Sequence, residues 1–160
     1  MKKYIVFATV LYFLMISFFG CSEGDKRIAT ARAFREKFKN PIFLQQAQGY
    51  QRWMASCLIE GKILFLKLRA ENNELSLTIK KDDEVVEVFY DSNQIDDHVD
   101  KYQRGSEEPV DLKRFEDDYR WELEKRYFDY LEEATKNLDI QIREYLYLKT
   151  KKEKKVRPEK

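Results

Sequence analysis

The chain has 160 residues, with 30 Lys or Arg against 29 Asp or Glu and a formal net charge of +1. That balance excludes a polycationic nucleic-acid binder, and the length holds one domain comfortably but not two. With 2 cysteines in the whole sequence, a disulfide framework is excluded as well.

The first 21 residues read as an address. Lys2 and Lys3 give a positive start, Tyr4 to Phe19 is apolar apart from Thr9 and Ser17, and Gly20-Cys21 closes the run. This is the pattern of an export signal. The apolar run has 16 residues, short of the roughly 20 that a membrane-spanning helix needs. The stretch Phe18-Phe19-Gly20-Cys21 resembles the lipobox of bacterial lipoproteins, in which a small residue precedes the cysteine that receives diacylglycerol. Gly20 and Cys21 match that pattern, while Phe18 and Phe19 are bulkier than its usual residues. The resemblance implies that residues 1–20 are a signal peptide removed before Cys21, that Cys21 carries the lipid (diacylglycerol and palmitate), and that the protein is anchored to a membrane of the cell envelope. Ser22 stands where an inner-membrane retention signal often has Asp, which favours the outer membrane. Loss of residues 1–20 leaves 140 residues with a net charge of −1, and no nucleic acid is expected as a partner. Cys57 is then the one spare thiol, expected as a small buried hydrophobe.

Residues 21–26 form a short tether that keeps the globular part close to the membrane. From Lys26 to Lys39, Ile28, Ala31, Phe34 and Phe38 fall on one helix face, with Arg27, Arg32, Arg35, Glu36 and Lys39 mostly off it. Asp25 is the expected N-cap, and Asn40-Pro41 ends the helix. Two readings stand for this helix: it packs on the domain, or its basic flank lies against anionic headgroups.

The pattern between Tyr50 and Tyr90 is one of strands. Residues 50–59 are apolar-rich, Leu64, Leu66 and Leu68 alternate with Phe65, Lys67 and Arg69, and Leu75, Leu77 and Ile79 alternate with Ser76, Thr78 and Lys80. Val85 to Tyr90 follows a turn at Lys81-Asp82-Asp83. Links this short force antiparallel pairing, so the expectation is a four-stranded meander with one apolar face in need of a helix.

A polar connection from Ser92 to Pro109 leads to the cover. Asp111 is the expected cap of a long helix, with Val110 and Phe115 spaced as a hydrophobic staple. No Pro or Gly occurs from Val110 to Arg157. Leu112, Phe115, Tyr119, Leu123, Tyr127, Tyr130 and Ala134 gather on one arc, the expected sheet-facing stripe. Beyond Asn137 the stripe drifts toward Leu138, Ile142, Tyr145 and Leu146, which suggests a bend or a second helix. Residues 151–160 read as a basic, frayed tail. The fold class is α+β, with a single domain over residues 27–150.

Trp121 and Phe128 fall opposite the stripe. Either the N-terminal helix or residues 41–48 cover them, or they are exposed anchors for an envelope protein or for self-association.

The chemistry that could define an enzyme is sparse. His98 is the 1 imidazole, and the chain has no Gly-x-Ser-x-Gly elbow, no phosphate-cradling glycine loop and no zinc-type Cys or His spacing. Asp91, Asn93, Asp96, Asp97 and Asp100 offer oxygen ligands, but the EF-hand template fails at Ile95, Asp96 and Tyr102. No catalytic residue, metal or cofactor is assigned. The expected role is a lipid-anchored, non-enzymatic interaction module. The alternative is a small-ligand carrier with a pocket between sheet and helix.

Overall fold

Alternating Leu and Ile side chains build a sheet larger than expected. The computed structural model describes residues 22–47, 49–92 and 96–156; the expected signal peptide, residues 1–20, and Cys21 lie outside them. Seven strands pair in sequence order, all antiparallel: β1 Leu44–Ala47, β2 Tyr50–Ile59, β3 Lys62–Arg69, β4 Leu75–Lys81, β5 Glu84–Asp91, β6 Lys101–Arg104 and β7 Val110–Asp111. The expected meander is β2 to β5. Strand β1 and the pair β6 and β7 extend it at its two ends; β6 comes from the segment read as a polar connection, and β7 from Val110 and Asp111, read as the start of the long helix.

The tight links follow from backbone chemistry. Glu60 and Gly61 sit at φ 50° and 74°, and Asp82 and Asp83 at 50° and 66°. Two successive residues at positive φ give the primed hairpin turn whose twist matches that of the flanking strands.

Helix α1 spans Glu23–Phe38 and starts three residues before the expected Lys26. Ser22 is its N-cap, and Asp25 is the reciprocal partner three residues on, a capping box. The Asn40 side chain then caps the 3-10 turn Pro41–Phe43. At the other end of the domain, Asp111 caps a 3-10 turn at Leu112–Arg114 instead of the long helix. Helix α2 begins later, at Asp117, and runs unbroken to Val156. Its 40 residues make it about 60 Å long. A second helix starting near Asn137 does not form, because no Gly or Pro interrupts the hydrogen-bond ladder, and the Asn137 side chain accepts from Gln141 one turn on. Residues 151–156, read as part of a frayed tail, continue α2, where lysines complement the helix dipole.

One face of the sheet buries Leu64, Leu66, Leu68, Leu75, Leu77, Ile79 and Phe89. Helix α2 packs on it with Leu123, Tyr127, Leu131, Ala134 and Leu138, and α1 adds Phe34 and Phe38. The expected stripe is therefore displaced: Tyr119 is exposed, while Phe128 and Leu131 are buried. The cause is that α2 buries two flanks, one on the sheet and one on α1, so its apolar arc is wider than a single contact would need.

Candidate interaction surface

Three groups of buried charge lock the two helices to the sheet and to each other. Arg35 of α1 reaches Asp91 of β5 at 3.2 Å, and the Tyr127 hydroxyl of α2 donates to the same carboxylate oxygen. Arg35 also donates to the backbone carbonyls of Asn73 and Ser92. Arg27 of α1 donates to Glu124 of α2 at 2.9 Å and lies 5.5 Å from the centre of the Phe128 ring. His98 meets the other Glu124 oxygen at 3.0 Å. Glu87 of β5 accepts from Arg126 and Tyr130 at 3.0 and 3.1 Å.

Burial pushes Asp91 up from 3.8 to about 6, although Arg35 and Tyr127 hold it down. Burial likewise raises the Cys57 thiol to about 11, so it is protonated at neutral pH and a poor nucleophile. The Asp91 and Glu87 carboxylates are themselves buried and bonded to structural partners, so they hold the helices to β5.

Those contacts change the reading of α1. Arg27 and Arg35, expected off the apolar face, are buried and ion-paired, because interior carboxylates on α2 and β5 receive them. They are therefore spent on the domain and cannot serve a headgroup-facing flank, which is left to Lys26, Arg32 and Lys39. The signal was present in the spacing: Arg27, Ala31, Phe34, Arg35 and Phe38 share one helical face.

The two aromatics singled out by the sequence part company. Trp121 is 51% exposed, whereas Phe128 is 6% exposed, covered by Arg27 of α1 and in ring contact with Tyr127. Of that pair, Trp121 alone faces solvent. Tyr145 and Leu146, expected on the continued stripe, are instead exposed together with Tyr147 and Leu148 toward the far end of α2, a run that sequence reasoning did not single out. Four large apolar residues in a row on a surface helix were its signal, since such a run cannot all face one core.

The residues of the acidic loop diverge. Asp91 points inward to Arg35, Asp96 accepts from the His98 backbone, and Asp100 accepts from the Ser92 backbone. Asn93 lies outside the described residues. Among the described residues, no group of three or more His, Cys, Asp or Glu side chains is placed to hold a metal ion, and no helix is long and apolar enough to cross a membrane.

A groove of about 450 Å³ opens where the end of α2 passes β2, and Gln141 and Tyr145 from α2 line it together with Met54 and Phe65 of the sheet. Comparison with known protein families, with curated proteins and with solved structures finds no match to this chain.

Proposed function

We propose that the protein is a non-enzymatic interaction module of the cell envelope, held at a membrane by lipid on Cys21. The observation that carries this reading is the exposed apolar run Tyr145–Leu148 on α2. Large apolar side chains exposed all round one turn of a helix are what a partner covers, and aromatic residues dominate interface energies. Trp121 adds a further exposed aromatic on the same helix. Around Phe89 the space between sheet and helix is filled, its ring lying 5.2 Å from Tyr102 and 5.6 Å from Tyr127. That packing favours an interaction role over a carrier role, which would need room between the layers.

The test is co-purification from native membranes. The Tyr145→Ser/Tyr147→Ser variant is expected to lose partners that the wild type retains, with lipidation and thermal stability unchanged. Identical partner sets for wild type, this variant and Trp121→Ala would refute the reading.

A further inference from the structure

The first position of the sheet is only half filled. Strand β1 pairs with β2 from Tyr50 to Trp53 and then stops, because Pro41–Phe43 forms a 3-10 turn. Beyond Trp53, β2 runs on through Met54–Ile59 paired to β3 alone. The Gln51 carbonyl accepts from Ala70 on the β3 side. By the alternation of an antiparallel ladder, Ser56 and Leu58 must aim their backbone groups the other way, out of the sheet. The Ser56 carbonyl takes Gln141 Nε2 at 3.0 Å. No other hydrogen bond to the Ser56 or Leu58 backbone on that side occurs among the described residues.

An edge of this kind is normally guarded by a charge, a proline or a covering element. Met54 to Ile59 contains neither charge nor proline, and Leu58 is 69% exposed. The groove beside it is lined by Ile42, Phe43, Met54, Phe65, Gln141 and Tyr145, none of them ionised. One helical turn past Tyr145, α2 becomes basic, with Lys149, Lys151 and Lys152.

We propose that the outer edge of β2, Met54–Ile59, accepts one extended peptide strand from a partner protein, uncharged where it pairs and acidic at its flanks. The backbone donors and acceptors ask for a strand, the groove asks for uncharged side chains, and the lysines of α2 ask for acids beside it. Gln141, which holds the Ser56 carbonyl, gives that acceptor up to the incoming strand; edge-to-edge pairing of two copies is the outcome that the dimer arm of the test detects. This inference deepens the interaction-module reading and rests on it.

The test uses the folded domain from Ser22 onward within the lipid-free full chain, with a blocked Glu-Thr-Val-Thr-Val-Thr-Glu peptide as the probe, followed by amide NMR up to about 2 mM peptide, the range of a weak single-strand contact. Shift changes confined to residues 54–59 and the Gln141 side chain are expected, with exchange at the Ser56 and Leu58 amides slowed about tenfold or more. Methylating alternate peptide nitrogens should abolish binding in one phase and spare it in the other. Replacing both Glu by Lys should weaken binding at least about fivefold. Leu58→Lys, at an exposed position that should not disturb folding, is expected to remove it. Absence of shifts at 2 mM, shifts centred elsewhere, or equal binding by both methylated forms would overturn the assignment, as would a concentration-dependent dimer that protects the same amides. If native partners persist while the peptide fails, the edge assignment falls and the broader interaction reading stands.

Discussion

Arg35 of α1 and Asp91 of β5 meet at 3.2 Å with side chains only 3% and 5% exposed. A buried pair like this contributes little net stability beside an apolar alternative, but removal of one member leaves a lone charge in the interior. It joins the N-terminal helix to the last residue of β5. Helix α1 starts two residues after Cys21, and near that end of it Arg27 pairs with Glu124 of α2.

The Asp91 carboxyl titrates at about 6 in the fold against 3.8 ordinarily. Because the folded value is the higher, the stability linked to its protonation is complete below about 3.8 and is lost as pH rises through about 6. A shift of this size corresponds to roughly 3 kcal/mol. Asp91→Asn is therefore expected to flatten the stability profile between those two pH values relative to wild type, as read from urea midpoints. Parallel profiles for the two proteins would show that Asp91 is not the group responsible. Arg35→Met, which strands the carboxylate, should cost about 3–5 kcal/mol at neutral pH.

Phe128 and Trp121 give opposite expectations for the same substitution. Phe128→Ala empties a core position between α1 and α2 and should cost about 3–5 kcal/mol, whereas Trp121→Ala, half in solvent, should cost under about 1 kcal/mol. Thermal or urea unfolding of the two variants side by side checks this.

The central strands were legible because Leu64, Leu66 and Leu68, and then Leu75, Leu77 and Ile79, repeat at period two and all point inward. Strands β1, β6 and β7 were not, since Leu-Gln-Gln-Ala, Lys-Tyr-Gln-Arg and Val-Asp carry too few apolar side chains to show a face. Their pairing comes from neighbours already in place. Asp111 was correctly placed as a cap, but Lys113 and Arg114 turn only once before Phe115 breaks into extended backbone. Trp121 and Phe128 looked equivalent on a helical wheel because a wheel shows where a side chain points and says nothing about a second helix. Arg27 and Arg35 were read as outward for a related reason: charge suggests solvent unless a buried carboxylate is known to be opposite.

The hairpin between β4 and β5 has room for improvement. Asp82 and Asp83 both occupy positive φ, where a side chain costs about 1 kcal/mol that glycine avoids. Asp83→Gly is expected to stabilise the domain by about 0.5–1 kcal/mol, with denaturant midpoint as the readout. Destabilisation would mean that the Asp83 side chain holds the turn through a contact of its own.

The most direct measurement is the intact mass and N-terminal fragment mass of the protein extracted from its native membrane. The expected result is a chain beginning at Cys21, with residues 1–20 absent and the added mass of diacylglycerol on the cysteine. A chain that still begins at Met1, or an unmodified Cys21 in the soluble fraction, would contradict the membrane-anchored reading.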